Sequence, residues 1–578
     1  MDNIISRGEI EDRIARGQAI VIYEGLVLNL EKWIKFHPGG DKAIHHMIGR
    51  DATDEMKAYH CDETVEIFRK WRIGRIDQEW ENFLPPIQGG VFRFSNQQHD
   101  STDSGLSNKW IAPNTSDQFK SIKNEKHMCG EPDVKIYPKI PQGVIPSLNL
   151  KEAYEKKVVT DPATVADNYD NELVRQDLET FPDLDPKTQE WLSKEYNKMH
   201  NEIIEAGLYQ CNYFRYVKEL TRIGLLFALS YYLLYHRDQK FWSAFSMGCA
   251  WQQLVFIAHD AGHISITHHY QLDNIFGMII ASWVGGLSLG WWKRNHNVHH
   301  LITNDPIHDP DIQHLPFFAV STRLFNDIYS TYYEKFLWFD AFAKKVVPWQ
   351  NYLYYPMLAF GRFNLYRLSW MHVLLGLGPR RGKAGWFRYF ELCGLIFFNY
   401  WFFYLLVGCK LHTGWDRFQY IMVSHITTML VHVQITLSHF AMSTSDLGVG
   451  EGFPMRQLRT SMDVDCPRWL DFLHGGLQFQ VVHHLFPRLP RHNLRAAQPY
   501  VIEFCEKVGI KYSIYGFSKG NGVVLTKLQE IAAQAKTMLE CASAMKKEAT
   551  GEREADEKTY RTKSIKNAWF IGTRSWLS

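Results

Sequence analysis

No C-x-x-C pair occurs in this chain. Its nine cysteines (Cys61, Cys129, Cys211, Cys249, Cys393, Cys409, Cys466, Cys505 and Cys541) stand apart, so neither a zinc ribbon nor a disulfide framework is indicated. A surplus of one charge is also missing. The 64 basic and 62 acidic side chains leave a formal net charge of +2, without the basic excess of a nucleic-acid-binding domain, so no nucleic acid partner is expected. There is no H-E-x-x-H motif, which removes a zinc-protease reading, and the Glu-x-x-His motifs of carboxylate-bridged di-iron bundles are absent too. The opening "MDNIISRGEIEDRIARGQ" lacks the apolar core of a signal peptide, and the N-terminus is expected in the cytosol. No internal repeat stands out.

What the chain does have is length and strongly uneven polarity. At 578 residues it exceeds one ordinary domain. It is 46% hydrophobic and 14% aromatic, and its mean hydropathy of −0.28 averages polar regions with apolar ones. Residues 1–82 read as a compact α+β module. Residues 83–172, rich in Gly, Pro, Ser, Asn and Asp without a sustained period, read as a linker or insert. Helical spacing resumes over 173–520, and 521–578 is a polar tail that includes the charge-rich "KKEATGEREADEKTYRTK".

Four segments, near 220–236, 240–258, 390–409 and 417–438, approach the roughly 20 residues that cross a bilayer. None is a pure apolar run: Gln252, Gln253 and His425 interrupt them. Buried core helices of a soluble protein are the alternative. Charge placement favours the membrane, because the short turns "HRDQK" and "CKLHTGWDRF" would face the lumen while "GPRRGKAGWFR" and the long polar regions stay cytosolic. Two further segments, 273–291 and 349–372, are broken by Gly, Pro and Arg and read as interfacial or re-entrant helices.

The polar regions hold a repeated pattern. "WWKRNHNVHHLITN" places His296, His299 and His300 at offsets 0, 3 and 4, on one face if helical. "LQFQVVHHLFP" repeats those offsets with Gln480, His483 and His484. "FIAHDAGH" closes the second apolar segment with His259 and His263, and "QITLSHF" leaves His439 just past the fourth. In a four-span topology with a cytosolic N-terminus, all of these lie on one membrane face. Neutral imidazole is the commonest side-chain metal ligand. Eight imidazoles exceed what one tetrahedral ion takes, and suit two metals with open positions. Ligation by nitrogen alone fits iron, copper or zinc, with iron the choice if the chemistry uses oxygen. Asp260 and Asp309 are candidates to orient ligating rings. His268, His269, His308, His314 and His432 lack the repeated offsets and read as structural, and Asn297 reads as a helix-surface residue.

The N-terminal module poses a separate pair. In "WIKFHPGGDKAI", His37 sits in a tight turn that lets a flat ligand approach the backbone. His60 ends "GRDATDEMKAYH". Two histidines on separate elements around an apolar pocket can clamp haem iron from both sides. Asp51, Asp54, Glu55, Asp62 and Glu63 cluster beside His60, either as a docking face for a basic electron donor or as a plain solvated face.

On the motifs "HPGG", "HDAGH", "HNVHH" and "QVVHH", the chain resembles the cytochrome b5-fused membrane desaturases of the front-end type, over about 5–80 and 190–515. "TNDPIHDPDIQHLPFF" and "GGLQFQVVHHLFPRLPRHNLR" match the same group. Gln480 in place of the first box histidine is shared by front-end and Δ8-sphingolipid desaturases. Val481 and Val482, where many acyl-lipid members carry Ile-Glu, and the long insert point to the fungal Δ8-sphingolipid desaturases.

The resemblance implies a multi-domain protein: a small α+β cytochrome b5-like haem domain fused to an all-α, four-span membrane domain with a cytosolic, histidine-rich di-iron cap. It implies haem b held by His37 and His60. Two non-haem irons would be held by His259, His263, His296, His299, His300, His483 and His484, with His439 and Gln480 as further ligands. The implied reaction is O2-dependent desaturation of a ceramide's sphingoid base at Δ8, with electrons from NADH through a separate cytochrome b5 reductase. The implied location is the endoplasmic reticulum membrane, with both termini and the metal site cytosolic. A C–H bond in the middle of a hydrocarbon tail has no acidity for a side-chain base to exploit, which agrees with metal–oxygen chemistry. The alternatives are a front-end acyl-lipid fatty acid desaturase of the Δ5/Δ6 type, a lipid hydroxylase on the same iron scaffold, and a membrane-anchored haem protein that only passes electrons on. The last leaves eight aligned histidines idle.

Overall fold

The computed structural model describes residues 3–92 and 162–550. The interpretation of most of the insert as a linker, and of the charge-rich end of the tail as solvated, falls outside those residues.

The N-terminal domain is built on a three-stranded antiparallel sheet of β1 (Ile20–Tyr23), β2 (Leu26–Asn29) and β3 (Arg72–Arg75), in that order. Glu24 and Gly25, both at positive φ, make the two-residue turn between the first two strands. Strand β1 is buried along its whole length, so its apolar run "IVIY" does not alternate. Helices α1 (Arg7–Ala15), α2 (Asp41–His45), α3 (Thr53–Tyr59) and α4 (Asp62–Phe68) complete the module around Ile10, Ile22, Val27 and Phe68.

The larger domain is helical, with two small two-stranded sheets. It opens with α5 (Pro162–Thr180) and α6 (Pro186–Glu205), followed by α7 (Tyr213–Tyr235) and α8 (Lys240–Gly262), each of 23 residues and packed on one another. Among the described residues, two helical stretches are long and apolar enough to cross a membrane, Gly382–Lys410 and Gly414–Phe440. The first contains α13 (Phe387–Phe398) and the second α14 (Gly414–Ile426) and α15 (Met429–Phe440). The segment expected to re-enter is a bent pair: α9 (Tyr270–Met278), continued to Val284, meets α10 (Leu289–Leu301) at 116°. The other interrupted segment splits into α11 (Gln350–Ala359) and α12 (Gly361–Leu375), with Trp349, Tyr352, Phe360 and Leu374 exposed.

The polar residues that interrupt the apolar segments have partners. Gln252, Gln253 and Gln434 donate to the carbonyls of Phe472 and Leu473, at 2.8 to 3.4 Å. The 468–474 segment, a 3-10 turn running into a short helix, is therefore seated between α8 and α15. His425 meets the Ile421 carbonyl and the Tyr366 hydroxyl. Gly475 and Gly476, at φ 61° and 92°, end that segment. A Cβ at Gly475 would stand 2.1 Å from the Phe256 ring, so only glycine lets the backbone turn there.

From this segment the backbone runs into α17 (Gln480–Leu485) and α18 (Arg491–Val508), after α16 (Phe453–Thr460). The closing helix α19 (Phe517–Thr550) runs across the boundary expected at 520, and buries Val524, Leu528, Ile531 and Ala535. Helix α5 likewise crosses the expected boundary at 172 and buries Val174. Both are hidden in the sequence by low overall apolarity, because each presents only one stripe of its surface to the core.

Candidate metal centre and haem cleft

Four elements bring the box histidines together. His259 and His263 stand at the end of α8; His296, His299 and His300 lie on one face of α10; His439 ends α15; His483 and His484 end α17. Helix α10 is fixed at its start. Ser288 caps it, and the Glu391 carboxylate of α13 accepts from the Ser288 hydroxyl and the Gly290 amide at 3.1 and 3.0 Å. An acid is stabilised there by the positive end of the helix dipole. The box helix is therefore anchored directly to an apolar stretch long enough to span a bilayer.

The rings fall into two groups. Ligand-capable atoms of His259, His263, His296 and His483 all lie within 4.8 Å of one another, and so do those of His299, His439 and His484. His300 stands between, its ring 4.8 Å from those of His263 and His483 and stacked at 4.1 Å on His484. The repeated 0, 3, 4 spacing has a geometric result here: adjacent histidines of one box serve different groups, as His483 and His484 do. Gln480 opens α17 and is buried one turn before them. His268, His308, His314 and His432 join neither group.

The chemistry of these atoms fits metal. His263 Nε2, His300 Nδ1, His483 Nε2 and His484 Nε2 are buried with no hydrogen-bond partner. A buried polar atom without a partner is costly, and four in one cluster call for an electron-pair acceptor. Burial pulls His300, His483 and His484 well below the usual imidazole range and His296 down to about 4, which keeps these rings neutral. Burial also works against protonation of His299, but Asp309 and Asp311 beside it outweigh that and raise it.

Nδ1 of several rings is held from behind. Asp309 takes His299 Nδ1 at 2.8 Å, as expected. Asp260 does not play the matching part: it accepts from the Tyr216 hydroxyl and from Arg491 at 2.7 Å, 3.8 Å from His259 Nδ1. Arginine out-competes a neutral imidazole for a buried carboxylate. Asp311, not singled out from the sequence, meets His296 Nδ1 at 3.2 Å and forms a third close group with His296 and His299. Gln457 meets His484 Nδ1 at 2.9 Å, and the Thr460 carbonyl meets His439 Nδ1 at 3.3 Å. Asp311 lies two residues past Asp309 in the same motif; Gln457 carries no sequence signal.

The second pair also converges. His37 and His60 face each other with ring centroids 6.1 Å apart. With metal–nitrogen bonds of about 2 Å on each side, that leaves room for one iron. Nδ1 of His37 meets the Gly40 carbonyl at 2.7 Å and Nδ1 of His60 the Met56 carbonyl at 3.0 Å, so each Nε2 is left to face the cleft. Burial lowers His37 and takes His60 to about 3.

The two sites are joined through α10. Asn297, expected as a helix-surface residue, donates to the Gly39 carbonyl at 2.9 Å, inside the H-P-G-G turn. A Cβ at Gly39 would stand 2.8 Å from that amide, which is why the turn needs glycine. Arg294 pairs with Asp41 at 3.3 Å and Lys42 with Glu334. On the other side of the cleft, the Tyr59 ring is 6.1 Å from His300. The exposed acidic face read beside His60, whether for docking or plainly solvated, is corrected in part. Asp54 and Glu55 are buried against the larger domain, Asp54 accepting from Asn197 at 2.7 Å, because they fall on the inward side of α3.

Comparison with known proteins gives two family matches: the family described as a cytochrome b5-like heme/steroid binding domain over residues 6–77, and the family described as fatty acid desaturase over 240–516. A Lachancea kluyveri protein named Delta 8-(E)-sphingolipid desaturase is 99% identical over 568 residues, 98% of this chain and all of that one. A Candida albicans protein of the same name is 58% identical, over 93% and 97% of the two chains. A Borago officinalis acyl-lipid (9-3)-desaturase is 37% identical, over 60% and 76%.

Proposed function

This chain belongs to the fatty acid desaturases that carry an N-terminal cytochrome b5-like domain, and from that premise we propose that it introduces a Δ8 double bond of E geometry into the sphingoid base of ceramide. It is an oxidoreductase with O2 as co-substrate. The observation that carries the reading is the pair of imidazole groups with unpartnered buried nitrogens, set beside a bis-histidine cleft, in a protein whose relatives at 99% and 58% identity carry that activity in their names.

In this reading His37 and His60 hold haem b. His259, His263, His296 and His483 hold one non-haem iron; His299, His439 and His484 the other; His300 stands between them and Gln480 is a further ligand. When bound, the irons supply the oxidising power for C–H removal that no side chain has. The protein's own part is to keep most of the rings neutral by burial, to aim them through Asp309, Asp311 and Gln457, and to keep water from the site. Asn297 couples the haem turn to the box helix, a short path for electrons delivered by an NADH-dependent cytochrome b5 reductase.

Helices α7 and α8 pair with the two apolar stretches as four spans, which puts every box histidine, both termini and the haem domain on the cytosolic face of the endoplasmic reticulum membrane. The haem domain is assigned to 1–82 and the desaturase domain to 162–550, so that α5 and α19, which cross the boundaries expected at 172 and 520, belong to it, with the insert before it and the polar tail after.

Expression in a host lacking Δ8 bases, followed by mass spectrometry of its lipids, tests the reading. Long-chain bases two mass units lighter and unsaturated at C8 are expected. Unchanged bases beside new unsaturated fatty acids would assign an acyl-lipid desaturase instead, and products heavier by one oxygen a hydroxylase.

A further inference from the structure

Helix α10 carries two cations that the histidine site does not use, of which Arg294 is paired with Asp41 and Lys293 is not. Lys293 lies one turn before Asn297 and is buried. Among the described residues its ammonium reaches the Asn274 amide oxygen, at 3.4 Å, and the face of the Tyr270 ring, at 5.0 Å. Among the described residues no carboxylate lies within ion-pair distance of it. Asp273, the acid that bears on its charge, is spent on the Ile266 and Thr267 amides and the Thr267 hydroxyl. A buried ammonium without a counter-charge is destabilising, so the site calls for an anion.

The surroundings say which anion. Both jaws of the haem cleft close onto α10. The His37 jaw does so through Gly39 and Asn297, with Gly40 packed on the Arg294 stem; the His60 jaw does so through Tyr59 beside His300. Residues i and i+4 share a helix face, so Lys293 stands on the face of α10 that closes the cleft. It is also close enough to bear on the charge of both His37 and His60. Arg488, just beyond α17 and without a carboxylate partner among the described residues, adds a second positive charge felt by His60. Haem is an apolar disc with two carboxylates on one edge.

We propose that Lys293 is the counter-charge for a haem propionate, so that the haem pocket of the N-terminal domain is completed by a side chain of the desaturase domain. The inference rests on the reading of His37 and His60 as axial ligands. It gives Lys293 an electronic role: an unneutralised propionate favours ferric iron, and a cation beside it shifts the balance toward ferrous.

The test is the haem midpoint potential of the full-length protein in detergent, followed spectroscopically. Lys293→Gln is expected to favour the ferric form about tenfold, a negative shift of about 59 mV for one electron, while Lys293→Arg keeps the parent value. Both the parent protein and Lys293→Gln are then loaded with haem dimethyl ester, which has no propionate charge, and their potentials should coincide. Equal potentials with ordinary haem, or the same gap with the ester, would overturn the proposal. A parent protein with no bis-imidazole spectrum would instead overturn the axial assignment, a separate and visible failure.

Discussion

Asp311 illustrates how much of a metal site lies behind its ligands. Its carboxylate meets His296 Nδ1 at 3.2 Å and accepts from Asn295, fixing which nitrogen of the ring faces the centre. Burial would push that carboxyl up, but His299 and His296 hold it below the usual range, so the charge is present at neutral pH. Removing such a support typically costs 10- to 100-fold in metal affinity or activity. Asp311→Asn is therefore expected to lower non-haem iron content and product by about that factor while the haem absorbance stays at the parent level. Unchanged iron would free Asp311 from this role. Replacing His299 with Ala, which takes away a ring rather than its support, is expected to abolish product with the haem spectrum again intact.

At the scale of elements, Asn297 and the 468–474 segment carry the account. Asn297→Ala deletes the one side-chain hydrogen bond from α10 to the H-P-G-G turn. It is expected to slow re-oxidation of the reduced haem by O2 and substrate about tenfold, with both cofactors still bound; stopped-flow absorbance reads this directly, and an unchanged rate would remove Asn297 from the electron path. Much at this scale is legible from sequence alone. The 0, 3, 4 spacing of His296, His299 and His300 reports a helix face, and the Gly285–Gly286 pair reports the sharp bend before α10. What stays hidden is pairing at long range. Gln252 and Gln253 look like flaws in an apolar run because their partners, the carbonyls of Phe472 and Leu473, are more than 200 residues away. Asp260 misleads for the same reason, since Arg491 reaches it from a distant helix and displaces the imidazole next door. Asp54 and Glu55 look like surface charges because nothing local says that α3 is covered by another domain.

Across the whole molecule, that covered face makes domain docking sensitive to pH. Burial pushes the Glu55 carboxyl up to about 7, with Arg50 offsetting part of the effect. In the unfolded state Glu55 ionises in the usual carboxylate range, so between there and about pH 7 the unfolded state gives up a proton that the folded state keeps. Stability from this group falls as pH rises through that window and is flat above it. Glu55→Gln should raise the thermal midpoint of the full-length protein at pH 8, by on the order of 1 kcal/mol or more in stability, and leave it nearly unchanged at pH 4.5. An equal shift at both values would contradict the assignment.

The central claim is that imidazoles from four separate elements enclose two metal ions next to a haem they do not hold. Metal content of the purified full-length protein tests it most directly. The account predicts three irons per molecule, one extractable as haem and two not. Haem iron alone, or a single further metal, would contradict it.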